Sequence, residues 1–477
     1  MRPYSLRTIA AAAALSAALA AVLATVTPIA AQAQNPRTRW EAQARALLKE
    51  LVEINTTHSA GNTVTAAEAM AKHMRAAGFP AEDVVVVENA PRKGNLVVRY
   101  HGRNTGRKPI LLLSHIDVVE ADPKDWTLPP FTFIEKDSVF YGRGVADDKD
   151  EGAIHLTILL RMKAEGVVPD RDIIVALTAD EEGGPSNGVD WILRNRPELL
   201  RAEYAFNEGG GGRVELKKRV ANEVQASEKK FANFNVEATN SGGHSSQPRP
   251  DNAIYQLATA LTKLGTYLNP VHLNEVTREY FTRQAAIAGG ETGAAMRAIV
   301  ANERDSAAAA IISRDPANSS RLRTSCVATM LTGGHAENAL PQRATALVNC
   351  RILPDETTET VRLRLQQAVG DTGVHVTVER AAEDSPPSPL TPDLLRTIEQ
   401  TTQELWPGMP VVPTMSTGAT DGRYLRVAGI PVYGVSGLFY EGPNAHGMNE
   451  KIEVRAFYDG LEFMYRLVRK LSAGPGL

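Results

Sequence analysis

The first half of the chain alternates two hydrophobic patterns. Residues 110–113 and 173–177 are continuous apolar runs, the pattern of strands that are buried on both faces of a parallel sheet. Residues 64–77, 153–165 and 188–195 have apolar positions at helical spacing, which is typical of helices with one buried face. Strands that alternate with helices in this way predict an α/β domain with a mixed, largely parallel sheet.

A different order of elements begins at about residue 215. Strands and helices follow one another as β, α, β, β, α, β, which is the order of a ferredoxin-like α+β domain. The strands are predicted at residues 231–238, 327–331, 344–349 and 374–378, and the helices at residues 253–264 and 357–368. Between the first of these helices and the second strand, residues 269–318 are polar and rich in alanine, and we predict that they are a helical elaboration.

The chain then returns to the first domain. The proline-rich segment 385–389 is typical of an exposed crossover, and an apolar strand is predicted at about residues 430–435. The chain ends in an amphipathic pattern that predicts a helix over residues 456–471. We therefore expect one domain inserted into another. The first domain would comprise residues 36–214 and 386–477, and the inserted domain residues 215–385.

Composition and charge exclude some partners, and the N-terminus predicts export. The 477 residues are 43% hydrophobic and 22% charged, which is ordinary for a globular protein. The net charge of −3, without a basic block, argues against nucleic acid and anionic membranes as partners. Arg2 and Arg7 precede an apolar stretch, and Ala31-Gln32-Ala33 offers a cleavage site, so residues 1–33 are predicted to be a signal peptide. An uncleaved membrane anchor is the alternative, and the expected location is the bacterial periplasm or the exterior.

The two cysteines, Cys326 and Cys350, flank a predicted hairpin between residues 327–331 and 344–349. If the hairpin is in register, the cysteines face each other, and an oxidising compartment would permit a disulfide. The favoured prediction is two small buried strand residues, with the disulfide as the alternative. Neither cysteine has the surroundings of a nucleophile.

Acidic and imidazole side chains recur where strands end. His115 and Asp117 follow the apolar run 110–113, and Glu181 and Glu182 follow the run 173–177. The carboxyl ends of parallel strands are where open α/β sheets place their sites. Further residues of this kind lie in the segments 142–149, 207–209 and 445–447. Two histidines and several carboxylates that converge there would suit a pair of divalent metal ions, so the pattern predicts a hydrolytic metal enzyme.

Taken together, these segments resemble the M20 family of metallopeptidases, which includes aminoacylases, Gly-X carboxypeptidases and related dipeptidases. The resemblance covers nearly the whole mature chain. It is carried by His115-x-Asp117, by 126–131 with Pro129-Pro130, by Gly-Arg-Gly-x-x-Asp at 142–147, and by Glu181-Glu182, Glu208 and His446. It implies a zinc-peptidase-like catalytic domain that carries a ferredoxin-like lid, and a homodimer that forms through the lid. The segment 126–131 is most similar to the aminoacylase and carboxypeptidase S branch.

The resemblance also implies a ligand set for two metal ions. The ligands would be His115, Asp147, Glu182, Glu208 and His446. Asp147 would bridge the two ions, with Asp148 as the rival for that role. His115 and Glu208 would bind one ion, and Glu182 and His446 the other. Asp117 would accept the second ring N–H of His115 and fix its tautomer.

One departure from the family pattern follows Lys149. The family continues with glycine, whereas here Asp150 and Glu151 follow. We interpret these two acids as the solvated start of a helix, where negative charge is favourable.

The remaining implied roles concern proton transfer and substrate binding. Glu181 would act as general base towards water and then donate the proton to the leaving amine. His244 of the lid would reach into the partner subunit's site and stabilise the oxyanion. The substrate carboxylate would be held by Asn338 and Arg351 of the lid and by the loop containing Gly418 and Thr420.

The predicted reaction is hydrolysis of an amide bond next to a free carboxylate, in a dipeptide or at a peptide C-terminus. Two divalent ions are expected, zinc first and cobalt as a second candidate. An aminoacylase acting on N-acyl amino acids is the alternative. A non-catalytic periplasmic metal-binding module is the alternative from another class. Glu181 argues against it, because binding alone has no need of a carboxylate that is not a ligand. We expect no membrane partner once the signal peptide is removed.

Overall fold

The computed structural model describes residues 36–104 and 106–474. The predicted signal peptide lies outside these residues. The described residues before Gln43 form only the start of the first helix. Among the described helices, none combines the length and the apolar character that a membrane span requires.

Helices and strands alternate along most of the described chain. The helices are α1 (Pro36–Glu53), α2 (Thr63–Ala76), α3 (Lys149–Ala164), α4 (Gly188–Asn195), α5 (Ala253–Thr266), α6 (Glu275–Ala288), α7 (Gly290–Ala301), α8 (Ser306–Ile312), α9 (Pro316–Leu322), α10 (Thr358–Val369), α11 (Pro392–Leu405), α12 (Gly422–Val427) and α13 (Val454–Ser472). The strands are β1 (Val84–Ala90), β2 (Lys93–Tyr100), β3 (Ile110–His115), β4 (Ile134–Lys136), β5 (Val139–Tyr141), β6 (Ile173–Thr178), β7 (Tyr204–Asn207), β8 (Gly212–Glu215), β9 (Lys218–Glu228), β10 (Lys230–Thr239), β11 (Gly243–His244), β12 (Ser325–Gly333), β13 (Ala339–Leu340), β14 (Arg343–Ile352), β15 (Val374–Arg380), β16 (Val411–Ser416), β17 (Val432–Gly434) and β18 (Lys451–Glu453).

The larger sheet is mixed, with a parallel centre. Its order is β1-β2-β6-β3-β7-β17-β9-β16, and β8 pairs with β9. The pairs β6–β3, β3–β7 and β7–β17 are parallel, whereas β1–β2 and β2–β6 are antiparallel. Strands β3 and β6 are buried along their whole length, as their continuous apolar sequences predicted. The predicted α/β class is therefore confirmed.

Helices cover both faces of the parallel centre. Helix α4 begins at the cap Asn187, whose side chain accepts a hydrogen bond from the backbone N–H of Asp190. Its apolar side chains Val189 and Ile192 pack with residues of β3 and β6 in one hydrophobic cluster. Helix α3 packs against β3, and α13 packs against α3. The segment 142–148, which carries Asp147, therefore leads directly into α3, a long buried helix that packs behind the sheet.

The inserted domain has the predicted ferredoxin-like topology. Its antiparallel sheet has the order β12-β14-β10-β15. Helices α5 and α10 contribute Leu257, Val361 and Leu365 to one core with Phe234 and Val348 of the sheet. The predicted strands and helices of this domain are all present, with bounds that differ by a few residues.

The elaboration at residues 269–318 is helical, as predicted, and comprises α6 to α9. Tyr280 and Phe281 of α6 share a hydrophobic cluster with Ala221 of β9 and Val412 of β16. These helices therefore pack on the larger sheet, to which β9 also belongs by its hydrogen bonds. The domain boundaries proposed from the sequence stay predictions.

The preferred prediction for the cysteines is wrong. Cys326 of β12 and Cys350 of β14 form a disulfide, with their Cα atoms 4.1 Å apart. They are directly opposite each other in the antiparallel register of the two strands. The predicted hairpin was correct, and it is this register that brings the two sulfur atoms within bonding distance.

Candidate active site

Three neighbouring strands deliver acidic and imidazole side chains to one edge of the larger sheet. His115 is the last residue of β3, Glu181 and Glu182 follow the end of β6, and Glu208 follows β7. Because β3 pairs in parallel with both β6 and β7, the three strand ends point the same way. The sheet topology alone therefore gathers four of the predicted site residues.

Asp147 lies between the two predicted histidine ligands. Its Oδ1 is 3.1 Å from Nε2 of His115, and its Oδ2 is 3.2 Å from Nε2 of His446. Nε2 of His446 is also 2.9 Å from Oε2 of Glu182, and Nε2 of His115 is 3.9 Å from Oε1 of Glu208. Each oxygen of Asp147 thus faces a different imidazole, which is the arrangement that a bridging carboxylate needs.

The donor atoms fit a pair of divalent cations. One ligand atom each from His115, Asp147 and Glu182 lie within 4.8 Å of one another, and His115, Glu181 and Glu208 form a second such group. Imidazole nitrogen and carboxylate oxygen are donors that zinc accepts. Glu181 belongs to the second group, so its role as a base and not a ligand stays a prediction.

The electrostatics of the cluster also favour a cation. Burial, partly offset by attraction to His115, raises the pKa of Glu208 well above its ordinary value. Burial likewise raises the pKa of Glu181 to about 8. Burial works in the same direction on Asp147, but hydrogen bonds to His115 and His446 outweigh it and lower the pKa of that carboxyl. Crowded carboxylates of this kind are stabilised by added positive charge.

The structure distinguishes Asp147 from its rival Asp148. Oδ2 of Asp148 accepts a hydrogen bond of 3.2 Å from the backbone N–H of His115, and the side chain is buried. The peptide bond between the two aspartates is cis. Asp148 therefore supports the end of β3, while Asp147 faces both imidazoles.

The predicted role of Asp117 needs correction. Nδ1 of His115 is 3.1 Å from the backbone carbonyl oxygen of Asp117 and 3.7 Å from its carboxylate. The carboxylate instead accepts the backbone N–H groups of Glu181, at 3.2 Å, and Glu182, at 3.0 Å. The backbone carbonyl of Asp117 thus orients the imidazole of His115. The carboxylate of Asp117 binds the segment that follows β6, and this keeps it away from the ring.

The prediction for Asp150 and Glu151 is wrong. Asp150 is only 1% exposed and Glu151 only 7% exposed. All four residues of the first turn, 149–152, are buried, so the start of α3 has no face towards solvent. Burial raises the pKa of Glu151 to about 8.

The contacts described for the lid residues His244 and Asn338 are with other lid residues and not with the metal cluster. His244 is exposed, and its Nδ1 accepts hydrogen bonds from Ser246. It pairs with Ala339 across the short β11–β13 ladder, and the backbone carbonyl of Asn338 accepts a hydrogen bond from Ser245. The structure thus brings His244 and Asn338 together.

The other predicted substrate-binding residues lie near the connection between β9 and β10. The Arg351 guanidinium lies over the ring of Phe231 at 5.2 Å, and burial lowers its pKa. Thr420 donates through both its backbone N–H and its hydroxyl to Glu228. The backbone N–H of Gly418 donates to the Ser416 hydroxyl.

Sequence reasoning missed two residues that shape the site, Asn449 and Glu450. The Asn449 side chain accepts the backbone N–H groups of Thr127 and Leu128 and so joins the segment 126–131 to the loop that carries His446. Glu450 forms a buried ion pair with Arg143. The proximity of these residues to His446 in sequence was a signal, but their partners lie more than 300 residues away.

Comparison with known proteins identifies the family of the chain. Residues 111–470 match the model of Peptidase family M20/M25/M40. The chain is 28% identical over 384 residues to human N-fatty-acyl-amino acid synthase/hydrolase PM20D1, covering 77% of this chain and 75% of that protein. It is 28% identical over 405 residues to probable carboxypeptidase S-like 2 of Dictyostelium discoideum, covering 82% and 77%. The M20 family metallo-carboxypeptidase Sso-CP2 from Sulfolobus solfataricus has a similar fold, with a TM-score of 0.65, 17% identity, and coverage of 90% of this chain and 98% of that one.

The fold is that of M20 peptidases, and the cluster is one that could hold metal ions. The chain belongs to peptidase family M20/M25/M40. It is an enzyme of the class that hydrolyses peptide or N-acyl amino acid amide bonds.

Proposed function

We propose that the protein hydrolyses the amide bond next to a free carboxylate in dipeptides or at peptide C-termini. The observation that carries this proposal is the position of Glu181, a partly buried carboxyl group beside His115 and Glu208. A general base must lie within reach of the water that it activates, and its pKa must lie near the working pH.

The chain's own residues divide the reaction among them. His115, Asp147, Glu182, Glu208 and His446 would hold two ions, with zinc the metal that we propose. When bound, the ions would polarise the substrate carbonyl and lower the pKa of water. Glu181 takes a proton from the attacking water and delivers it to the leaving amine. Asp117 keeps Glu181 in place through its hydrogen bond to the backbone N–H.

The lid supplies the binding of the substrate. Arg351 and Asn338 would hold the free carboxylate, together with the loop containing Gly418 and Thr420, and His244 would stabilise the oxyanion. His244 is exposed in the described chain, so we propose that it acts in the site of a partner subunit.

A dimer formed through the lid is part of this proposal. Strand β12 is an edge strand of the lid sheet, and Val327, Met330 and Leu331 on it are all more than 60% exposed. An exposed apolar edge strand of this kind is a ready surface for pairing with another chain. A second copy of β12 would cover it.

The alternative substrate is an N-acyl amino acid. A cavity of about 420 Å³ is lined by Trp126, Leu128 and Phe131, which are only partly exposed. Asn449 joins this wall to the loop of His446, so an apolar acyl chain could lie along it during hydrolysis. The relative PM20D1, which is named for N-fatty-acyl-amino acids, supports this second candidate.

Kinetics on matched substrates test the proposal. The zinc-loaded enzyme is given a dipeptide, a longer peptide and an N-acyl amino acid that end in the same residue, each with a free and with an amidated C-terminus. We expect kcat/KM to be highest on the two peptides and to fall steeply on amidation, because Arg351 loses its ionic partner. A preference for the N-acyl amino acid would select the alternative, and indifference to amidation would refute the role of the carboxylate.

We also propose that the protein works in the periplasm or outside the cell. The predicted signal peptide supports this location, and so does the disulfide between Cys326 and Cys350, because such bonds persist in oxidising compartments.

A further inference from the structure

Two of the predicted metal ligands are not on the larger sheet. Asp147 lies on the loop that leaves β5, and His446 lies on the loop that enters β18. The two strands pair in antiparallel register, with Tyr141 opposite Lys451. The loop that leaves β5 and the loop that enters β18 therefore lie at the same end of the small β18-β5-β4 sheet. Neither loop takes part in the pairing of β3 with β6 and β7, which holds His115.

One buried ion pair connects these two loops. Nη1 of Arg143 donates to Oε2 of Glu450 at 2.9 Å, and both side chains are at most 2% exposed. The same carboxylate accepts the backbone N–H groups of Gly144, at 3.1 Å, and Ala146, at 2.8 Å. Nη2 of Arg143 donates to the carbonyl oxygen of Gly447 at 3.0 Å. Each of these bonds joins two residues that lie within four positions of Asp147 or His446 in sequence.

The pair has no direct contact with a predicted ligand side chain, so it acts through the backbone. A carboxylate that accepts three hydrogen bonds in a buried site fixes the backbone that donates them, because leaving those groups unpaired is costly. Arginine presents two separate nitrogens of a planar fork to Glu450 and the Gly447 carbonyl, a geometry that the single ammonium nitrogen of lysine does not reproduce. The Arg143 guanidinium also lies 5.0 Å from the ring of Trp126, which limits its movement further.

We propose that Arg143 and Glu450 are positioning residues that build one of the two metal positions, the one formed by Asp147, Glu182 and His446. The other position, at His115 and Glu208, is held by the ends of β3 and β7 and shares with the first only the bridging carboxylate of Asp147. This inference rests on the two-metal centre of the proposed function. It divides the centre into a half fixed by the parallel sheet and a half in which the ion pair positions Asp147 and His446 against Glu182.

Metal binding to the apoprotein tests the inference without any substrate. Wild type, Glu450→Gln and Arg143→Lys are stripped of metal and titrated with Zn²⁺ by calorimetry and with Co²⁺ by absorption. For both variants we expect one ion to bind about 10- to 100-fold more weakly, the usual effect of losing an outer hydrogen-bond partner. The other ion should bind much closer to its wild-type affinity, because Asp147 is the only one of its ligands that the pair positions. Unchanged binding of both ions, or equal weakening of both, would overturn the proposal.

Two further variants exclude a general loss of stability. Arg161→Lys alters a comparable ion pair, in which Nη1 of Arg161 is 3.0 Å from Oε2 of Glu462 between α3 and α13, and both ions should bind normally. The double variant Arg143→Met/Glu450→Met removes both charges, which buried pairs often tolerate without unfolding, and it should still lose the same ion. Circular dichroism and thermal melting of each apoprotein check the fold.

The result also separates this inference from the proposed function. A wild-type protein that binds a single ion would refute both. A wild-type protein that binds two ions but hydrolyses none of the matched substrates would refute the proposed function alone.

Discussion

The metal cluster and the lid residues differ in how completely a single chain assembles them. His115 is 2% exposed, and it lies within a few ångströms of Glu182 and Glu208 because adjacent strands end there, while the loop after β5 adds Asp147. His244 is exposed on the short β11–β13 ladder, and its side chain is hydrogen-bonded to Ser246 of its own loop. We infer from this difference that folding of one subunit builds the metal cluster. In our proposal, the groups that would hold the substrate need a second event, which is closure of the lid or pairing of two subunits.

The largest effect should come from the chemical centre. We expect Glu181→Gln to lower kcat by about 10²- to 10⁴-fold, the range for loss of a general base, with both ions still bound. Steady-state kinetics and metal analysis of the same preparation check this. Glu182→Gln is the contrasting variant, because it should lower metal content as well as kcat. Full turnover by Glu181→Gln would remove Glu181 from its role.

The lid residue His244 should have the next largest effect. We expect His244→Ala to lower kcat by about 10²- to 10³-fold, as for loss of an oxyanion donor, without loss of metal. Ser245→Ala is the matched control, since the contact of Ser245 with Asn338 uses its backbone N–H. An effect on KM alone would show that His244 only binds substrate.

Mixing two inactive variants asks which subunit His244 serves. When Glu181→Gln and His244→Ala proteins are mixed and allowed to exchange subunits, a mixed dimer contains one site with an intact Glu181 facing the partner's intact His244. We expect activity to return in the mixture. If the mixture stays inactive although subunits exchange, His244 acts within its own chain, and the contrast between the two regions disappears.

The edge strand β12 should control the dimer and, through it, activity. We expect Met330→Glu to shift the protein to monomers, because a charge on the apolar edge opposes pairing with a second copy. Light scattering measures the mass, and activity should fall by no more than it does in His244→Ala. Leu363→Glu, at an exposed apolar position on α10, is the control and should leave the mass unchanged.

The same contrast explains how much could be predicted from the sequence. Apolar runs placed β3 and β6 correctly, and with them the strand-end positions of His115 and Glu182, because local pattern and sheet topology determine both. Asp150 and Glu151 are buried within electrostatic range of Tyr440, which comes from near the other end of the chain, and no local pattern reports this proximity. The role of Asp117 was misjudged for a related reason. Its carboxylate binds backbone N–H groups, which every residue has, so the sequence contains no sign of the partner.

The smallest effect on catalysis should come from the disulfide, which lies within the lid. The bond between Cys326 and Cys350 closes a loop of 24 residues between β12 and β14. We expect the double variant Cys326→Ser/Cys350→Ser to lose about 3 kcal/mol of unfolding free energy, the usual value for loops of this size. Chemical denaturation with and without reductant measures this, and reductant should destabilise only the wild type. Because neither cysteine contacts the metal cluster in the described residues, metal content should stay at two ions and kcat should change little. A loss of metal in this variant would mean that the lid and the cluster are coupled in stability, and the two regions would then have to be treated as one.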